Sequence, residues 1–490
     1  MPPFFAVNRE VCAVVEPCEL SAVEARRLIG RKRLSPIELL ESCIARIEMV
    51  NGSVNAMVAT CYDRAREEAR AAADAVMRGD PLGPLHGLPL GVKDLIDTEG
   101  LRTTYGSPLY ADNVPDADEN LVVALRQAGA IIVGKTNTPE FGAGANTTNP
   151  VYGATGNPFD PKRICGGSSG GSAVALSTGM TPICTGSDSG GSLRIPAAFC
   201  GVVSHRSTPG VVPTEKHRIG FTTFGVQGPM ARSVDDAALM LSVLARFDAT
   251  DPLTAPIDGA AYGSVPEVDL SRLRVAISED LGFAHVDNRI RETFNSRVDL
   301  FRGAFKECIE RDPDLQTVRK TNHVLRAIQY LARHRDHYEN QPDKLGPNVT
   351  ANYEIALQLG ADEIAWALEE QTTLFRNMGR FFEDVDILIC PTVPVPPFPV
   401  EQLYCTEING VALDTYYEWL SLTWGLTIPG NPVTALPCGL EPTGTPFGLQ
   451  ICGPHHSDRF VLGVAKSLEA LFAGNPELRR PEPNLAALAG

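Results

Sequence analysis

Apolar positions in the first eighty residues follow the spacing of helices that bury one face. The run from Ser35 to Ile47 places them three and four residues apart, which predicts an amphipathic helix. Its opening residues, Ser35-Pro36-Ile37-Glu38, combine a capping box with proline at the first helical position. A second, Ala-rich helix is predicted over Tyr62–Met77. We therefore expect residues 1–80 to form a helical segment that packs on the core of the fold.

Beyond residue 80, short apolar runs alternate with helical patterns. This alternation predicts an α/β fold whose sheet is largely buried. We expect a single large domain in which helices cover both faces of a mixed central β-sheet, with residues 81–280 as its first part. The clearest strands are predicted at Leu90–Val92, Ala130–Val133, Met180–Thr185 and Leu273–Ile277, and helices are predicted over Asn120–Gln127 and Val234–Phe247.

Residues 281–385 differ from the rest, because their pattern is mostly helical and they are richer in charged and aromatic side chains. We expect them to be a helical insertion that covers the substrate. Strand patterns return in residues 386–490, which are predicted to complete the same α/β core. The Pro-rich stretch Pro391–Pro399 is predicted to be a surface loop.

The charge balance argues against a polyanionic partner. The 490 residues carry a formal net charge of −16, without a long basic run. Because nucleic-acid binding depends on Lys and Arg that neutralise phosphates, we expect no nucleic-acid partner. No apolar stretch reaches the roughly 18 residues that a transmembrane helix needs, so no membrane partner is expected.

The cysteine pattern and the N-terminus favour a reducing compartment. The twelve cysteines, which run from Cys12 to Cys452, include no C-x-x-C pair and no Cys/His cluster at zinc spacing. The first residues lack the basic start and continuous apolar core of a signal peptide. We therefore expect free thiols, no metal site and a cytoplasmic location.

Two runs rich in glycine and serine, Gly166–Ser172 and Gly186–Ser192, stand out from the rest of the chain. Glycines this dense serve either unusual backbone dihedrals or the close approach of N–H groups to a ligand. One such run alone is most simply a flexible loop. Neither run matches the phosphate-binding pattern G-x-x-x-x-G-K-[ST], and the G-x-S-x-G elbow of α/β-hydrolases also fits poorly.

A serine nucleophile in these runs needs a base that removes its proton. The nine histidines occupy no familiar triad context. Lysine can serve instead if burial lowers its pKa toward neutrality. Lys93, which follows the apolar run Leu90–Val92, is the suitable candidate, although alone it is more simply a surface residue or the ion-pair partner of Asp94.

Taken together, these segments resemble the amidase signature family. The resemblance rests on Gly91-Val92-Lys93-Asp94, on Gly166–Ser172 and on Asp188–Ser192, and it places the signature core in residues 81–280. It covers nearly the whole chain, with residues 281–385 least diagnostic. Further matching segments are Gly83–Pro89, Gly134–Asn137, Glu140-Phe141, Arg194–Gly201, Gly228–Arg232 and Gly448–Gln450.

The resemblance implies a serine hydrolase that cleaves amide-type C–N bonds. It assigns the attack on the acyl carbon to Ser192 and a proton relay to Ser168 and neutral Lys93. It also implies a cis peptide bond between Gly167 and Ser168, which would aim the Ser168 hydroxyl between the other two groups. No metal and no organic cofactor is implied.

The resemblance implies supporting roles as well. Backbone N–H groups of Ser189, Gly190 and Gly191 are expected to hold the oxyanion, where glycine lets them approach the developing charge. Asp188 and Arg194 are expected to form an ion pair that braces this loop.

One segment departs from the family pattern. Members usually continue after the Cys-Gly-Val-Val stretch with Gly-Leu-Lys-Pro-Thr or a close variant, whereas this chain has Ser204-His205-Arg206-Ser207-Thr208. The change lies beyond the catalytic residues, so we expect it to affect packing or substrate preference. His205 is more simply a satisfied core or solvated histidine than a pocket residue.

Three functions compete at this point. We expect a stand-alone amidohydrolase that acts on small-molecule amides or carbamates, and also on esters. The alternative is the glutaminase subunit of an aminoacyl-tRNA amidotransferase complex, which usually has an Arg-rich run where this chain has the Glu-rich Tyr353–Arg376. A catalytically inactive binding protein is disfavoured because every catalytic position is retained.

The substrate is predicted from aromatic content alone. Aromatic side chains within residues 281–385 and near Tyr416–Thr427 are expected to line an apolar pocket. This content predicts an uncharged, partly aromatic amide or carbamate. The resemblance also allows a homodimer. The aromatic residues concerned are Tyr330, Tyr338, Tyr417, Trp419 and Trp424.

Overall fold

The computed structural model describes residues 16–489, so Cys12 and the N-terminal pattern lie outside the described residues. Within them, every helix is too short or too polar to span a lipid bilayer. The strands are β1 (Met57–Thr60), β2 (Pro89–Lys93), β3 (Ile131–Thr136), β4 (Thr148–Asn149), β5 (Gly153–Ala154), β6 (Ile183–Asp188), β7 (Val203–Arg206), β8 (Val226–Ala231), β9 (Arg274–Ile277), β10 (Glu307–Glu310), β11 (Ile387–Pro391), β12 (Glu407–Ile408), β13 (Val411–Ala412), β14 (Val433–Leu440) and β15 (Pro446–Cys452). The α-helices are α1 (Ala22–Gly30), α2 (Pro36–Val54), α3 (Tyr62–Arg78), α4 (Asn120–Gln127), α5 (Gly170–Ser177), α6 (Arg194–Cys200), α7 (Val234–Leu244), α8 (Asn288–Phe301), α9 (Val318–Asn340), α10 (Pro347–Gln358), α11 (Ala361–Asp384), α12 (Ser421–Thr427), α13 (Asp458–Ala473) and α14 (Leu485–Leu488).

Eleven of the strands form one mixed sheet in the order β1-β3-β2-β6-β8-β7-β14-β15-β11-β9-β10. The neighbours β3, β2 and β6 are parallel, as are β11, β9 and β10, and the remaining pairs are antiparallel. Successive side chains of β3 enter two separate apolar clusters, with Ile132 on one face and Ile131 and Val133 on the other. Both faces of the sheet are therefore buried, which confirms the predicted α/β fold in a single domain.

The sheet brings together the ends of its third and fourth strands, β2 and β6. Strands β2 and β6 are parallel neighbours, so their carboxyl ends, at Lys93 and Asp188, lie at the same edge. Helix α5 begins at Gly170, within the first Gly- and Ser-rich run, and helix α6 begins at Arg194, two residues after the second. The chain turns between strand and helix therefore converge at this edge.

The predicted start of α2 is confirmed in its details. The hydroxyl of Ser35 accepts a hydrogen bond from the N–H of Ile37 at 3.2 Å, and the Glu38 carboxylate accepts one from the N–H of Ser35 at 2.9 Å. Ser35 and Glu38 therefore form the capping box that the local sequence predicts. Helices α3 and α4 likewise begin where the periodicity places them.

The Pro-rich stretch is not a surface loop, because residues 392–397 are buried. Its carbonyls accept hydrogen bonds from other parts of the fold, with the N–H of Asp287 lying 2.8 Å from the carbonyl of Pro394. The Arg163 guanidinium likewise donates to the carbonyl of Pro397 at 2.6 Å. Because proline has no N–H, such a stretch has few donors to satisfy and is inexpensive to bury. The prediction from proline content alone was wrong.

Residues 281–385 contain one strand besides the helices α8–α11. Strand β10 pairs in parallel with β9 at the edge of the central sheet. Helix α9 packs against both α10 and α11. Part of this segment therefore belongs to the sheet. Its strand, Glu307–Glu310, is charged and exposed at both ends, so it lacks the apolar run by which the other strands were recognised.

Helix α5 packs closely against neighbouring backbone at Gly171, in its first turn, and a substitution there tests this packing. A Cβ at Gly171 would lie 2.2 Å from the backbone nitrogen of Asn137 and 2.7 Å from the carbonyl oxygen of Ala56. We expect Gly171→Ala to lower the free energy of unfolding by about 2 kcal/mol or more, because backbone must move. Urea denaturation measures this difference.

The matched control is Gly52→Ala in α2, where nothing lies within 4 Å of the added Cβ. We expect this variant to be stabilised by up to about 1 kcal/mol, because alanine has the higher helix propensity. If Gly171→Ala were as stable as Gly52→Ala, the close packing of α5 would be contradicted.

Candidate active site

Lys93 ends strand β2 with its side chain fully buried. Its Nζ lies 2.7 Å from the Oγ of Ser168, 2.8 Å from that of Ser169 and 3.0 Å from that of Ser187. No carboxylate of residues 16–489 forms a salt bridge with it, and Asp94 instead accepts hydrogen bonds from Thr104. The structure thus places Lys93 among hydroxyls and not in the ion pair that Asp94 suggested.

The burial of Lys93 decides its protonation. Burial lowers the pKa of Lys93 well below its usual value, because the ammonium loses its hydration. The Asp188 carboxylate raises this pKa, and the Arg333 guanidinium lowers it further. The net direction favours the neutral amine.

The first Gly- and Ser-rich run holds Ser168 next to Lys93. The peptide bond between Gly167 and Ser168 is cis. Gly167 has no room for a side chain, because a Cβ there would lie 2.9 Å from the Oγ1 of Thr147. The N–H of Ser169 donates to the carbonyl of Ser192 at 3.2 Å, which ties this run to the second one.

The second run carries Ser192 to the wall of a cavity. This cavity has a volume of about 350 Å³, and Ser168, Ser187 and Ser192 all line it. Ser192 is partly exposed, and its hydroxyl has no hydrogen-bond partner among the described residues. Lys93, Ser168 and Ser192 are therefore gathered at one place, with Ser192 facing the open space.

Gly191 does not have the free N–H that the sequence analysis expected. Its N–H donates to the Asp188 carboxylate at 2.8 Å, and its φ of 116° requires glycine. The N–H groups of Ser189, Gly190 and Ser192 have no acceptor within residues 16–489, and all three residues line the cavity. The difference arises because the Asp188 side chain folds back onto the turn, which spacing alone does not reveal.

The Asp188 carboxylate holds two fully buried arginines beneath this turn. Arg194 donates to it from Nε at 2.9 Å and from Nη2 at 3.0 Å, and Arg206 lies 3.3 Å away. Burial alone would raise the pKa of Asp188, but Arg194 and Arg206 outweigh it and hold that pKa well below its usual value. None of the three lines the cavity, so the ion pair of Asp188 and Arg194 lies under the loop.

The segment from Ser204 to Thr208, which departs from the family pattern, is buried and contributes Arg206 to this ion cluster. Arg206 donates to the carbonyl of Asp188 at 2.6 Å and to that of Thr223 at 2.9 Å. His205 lies between the Thr434 hydroxyl at 2.9 Å and the Asp458 carboxylate at 3.1 Å. His205 is therefore a satisfied core histidine, whereas Arg206 reaches closer to the site than the sequence indicated.

The aromatic walls of the cavity differ from those predicted. Only Tyr330 of the five predicted aromatic residues lines it. Trp419 and Trp424 are buried in the core, as is Tyr417, and Tyr338 stacks on Tyr353 with 4.2 Å between ring centroids. Aromatic content predicts a pocket but not which side chains face it. The aromatic lining consists of Tyr105, Tyr110, Phe141, Phe224 and Tyr330.

One face of α9 forms a wall of the cavity, of which only Tyr330 was predicted from the sequence. Its side chains are spaced three or four residues apart, a pattern that was visible in the sequence as a polar and aromatic stripe. Burial lowers the pKa of His334 to about 2, with Arg333 and His337 adding to the effect, so this imidazole is neutral. The stripe consists of Arg326, Gln329, Tyr330, Arg333, His334 and His337.

Comparisons with known proteins show the family to which the chain belongs. A family model described as Amidase matches residues 38–462. An acylamidase from Rhodococcus erythropolis is 33% identical over 455 residues, covering 92% of this chain and 95% of the relative. A glutamyl-tRNA(Gln) amidotransferase subunit from Chloroflexus aurantiacus is 31% identical, covering 92% of this chain and 96% of the relative.

A solved structure gives the same result at the level of the fold. The chain superposes on a bacterial aryl acylamidase of the amidase signature family with a TM-score of 0.85 at 26% identity. The match covers 93% of this chain and 96% of the other. The chain therefore belongs to the amidase signature family and is an enzyme that hydrolyses C–N bonds.

Proposed function

We propose that this chain is a stand-alone amidohydrolase that cleaves amides through an acyl-enzyme on Ser192, with Lys93 and Ser168 as the proton relay. The observation that carries the proposal is the buried amine of Lys93, 2.7 Å from Ser168, at a cavity that Ser192 also lines. A neutral amine in that place can accept a proton, which an ordinary surface lysine cannot do near neutral pH.

The relay accounts for each proton of the reaction. The Oγ of Ser192 attacks the amide carbon, its proton passes to Ser168, and the proton of Ser168 passes to the Nζ of Lys93. When the C–N bond breaks, the same path returns a proton to the leaving nitrogen, because an unprotonated amine leaves poorly. Water then attacks the ester on Ser192 and releases the acid.

The oxyanion has three candidate donors in this proposal. The N–H groups of Ser189, Gly190 and Ser192 lie in the turn that lines the cavity and lack other acceptors in the described chain. Loss of one such donor typically costs about 3 kcal/mol of transition-state stabilisation. Gly191 and Asp188 act as positioning residues, because their mutual hydrogen bond holds the turn.

The cavity suits an amide with an aromatic or apolar part. Five aromatic side chains line it, among them Tyr105, Phe141 and Phe224. The similarity to a bacterial aryl acylamidase points in the same direction. Aryl amides are therefore the first substrates to try, with carbamates and esters beside them.

The alternative is a glutaminase subunit that acts within an aminoacyl-tRNA amidotransferase complex. Its support is the 31% identity to the amidotransferase subunit of Chloroflexus aurantiacus. The Glu-rich segment Tyr353–Arg376 belongs to α10 and α11, and none of its side chains lines the cavity. Activity of the isolated chain separates the two functions.

Ser192→Ala tests the proposed nucleophile. The assay measures amine release by the wild type and by this variant. The substrates are a panel of anilides, primary amides including glutamine, and carbamates. We expect the wild type to act alone and the variant to lose at least about a thousandfold in kcat, because no acyl-enzyme can form. Ser177→Ala, which removes a buried hydroxyl without a hydrogen-bond partner in α5, is the matched control and should keep its activity.

Equal release by wild type and Ser192→Ala would show that Ser192 is not the nucleophile. If the wild type released no amine from any substrate of the panel, the partner-dependent glutaminase would be favoured.

The pH profile tests the role of Lys93. Because its ammonium form cannot accept a proton, kcat/KM should rise with pH along an acid limb whose midpoint lies well below 10.5. Lys93→Met should lower kcat/KM at least about a hundredfold and abolish this limb, because no base is left to titrate. An acid limb that persists unchanged in Lys93→Met would contradict this assignment.

A further inference from the structure

Arg326 of α9 is a buried cation without an anionic partner. Its side chain lines the cavity with only 6% of the residue exposed, and no carboxylate of residues 16–489 lies within 4.0 Å of its nitrogens. Nε donates to the Asn352 side-chain oxygen at 3.0 Å, and Nη2 donates to the Tyr416 hydroxyl at 2.6 Å. The Nη1 group has no acceptor among the described residues.

The side chains of residues 16–489 that contact the Arg326 guanidinium are polar or aromatic, and none of them is charged. Its guanidinium carbon lies 5.1 Å from the ring centre of Tyr330, 5.4 Å from that of Tyr416 and 5.0 Å from that of Tyr417. Rings and hydroxyls orient the guanidinium and soften its desolvation, but they do not neutralise it. A buried ion without a counterion is expensive, so this arrangement favours an anion supplied from the cavity.

The free Nη1 group faces the turn that carries the proposed nucleophile. A Cβ placed on Gly190 would lie 3.6 Å from Nη1 of Arg326. An anion bound to Nη1 at hydrogen-bonding distance would therefore lie beside the proposed oxyanion turn, within a few bonds of a carbonyl carbon at Ser192. This spacing suits one molecule that contacts both groups.

The other charged side chains that line the cavity do not cancel the charge of Arg326, so the net charge of the lining is positive. Lys216 lines it but forms an ion pair with Asp97, and Glu119 lies 3.6 Å from the same amine. Arg218 and Arg333 line it without a carboxylate within 4.0 Å in the described chain. An acidic protein of net charge −16 therefore has a cationic substrate cavity.

We infer that the preferred substrates are amides whose acyl part carries a carboxylate, held by Arg326 while the amide carbonyl faces Ser192. This inference rests on the proposed function, because it takes the ligand to be the substrate of Ser192. It replaces the uncharged substrate that aromatic content predicted, since an uncharged amide would leave Arg326 unpaired. The aromatic walls remain available to the amine part.

Binding to a non-reacting protein tests the inference without any turnover. The ligands are the monoanilides of malonate, succinate and glutarate, each paired with its methyl ester, and the protein is Ser192→Ala in a calorimeter. We expect at least one monoanilide to bind about 10- to 100-fold more tightly than its ester, because only the acid offers a charge-assisted hydrogen bond. The three chain lengths sample the distance between Arg326 and the amide.

A second pair of variants assigns this preference to one residue. When Arg326→Gln is added to Ser192→Ala, the affinity for the monoanilide acid should fall by about the same 10- to 100-fold, and the affinity for the ester should stay unchanged. Arg335→Gln is the matched control, because it removes the same charge from α9 at an exposed position outside the cavity lining. It should leave both affinities unchanged.

Two results would overturn the inference. One is that no monoanilide binds more tightly than its ester. This comparison uses Ser192→Ala alone, so it can be made even if Arg326→Gln is unstable. The other is that Arg326→Gln weakens acid and ester alike, which indicates a purely structural role. Selective binding of the acids, with no aniline released by the wild type, would instead support a carboxylate-binding site at Arg326 and contradict the proposed hydrolysis.

Discussion

The buried carboxylate of Asp188 is the interaction on which the rest of the site depends. It ends β6, and two buried guanidinium groups and the N–H of Gly191 converge on it. Arg194 extends the network to α12 through Thr427 and to β15 through Gln450, with contacts of 2.8 and 2.7 Å. Breaking such a buried cluster on one side typically costs about 3 to 5 kcal/mol, because an unpaired charge remains. The turn before Ser192 is thus fixed to several distant parts of the chain.

Burial has a different consequence at Lys93, where it favours the uncharged form. Two arginines compensate the charge of Asp188, whereas the hydrogen-bond partners of the Lys93 Nζ within residues 16–489 are all hydroxyls, so the same low-polarity interior favours its neutral form. The two residues lie at neighbouring strand ends. A charged, rigid support and an amine that favours its neutral form therefore lie side by side, which is what the proposed proton relay requires.

The wall opposite this machinery comes from a different kind of element. Helix α9 presents one stripe of side chains to the cavity, and Arg326 in that stripe is a buried cation that has no counterion in the described part of the chain. The strand ends and the turns after them carry the residues of the proposed proton relay, and the helix carries the cation to which we assign substrate selection. In this proposal, the sheet and its turns supply the chemistry and helix α9 supplies the selectivity.

Local sequence determined those features that depend on neighbours along the chain. The capping box at Ser35, the bounds of α4 and the α/β alternation all follow from local periodicity and hydrogen-bonding capacity. The resemblance carried by the segments around Lys93, Ser168 and Ser192 gave the family, which the comparisons confirm. These features needed no knowledge of distant contacts.

Only the tertiary structure decided which side chains meet across the chain. It showed that Gly191 gives its N–H to Asp188, that residues 392–397 are buried and that Trp419 belongs to the core and not to the cavity. It also brought Arg326 next to Gly190, 136 positions earlier in the sequence. Composition records that a residue is aromatic or charged, but burial and pairing depend on the partners that folding brings to it, and these lie far away along the chain.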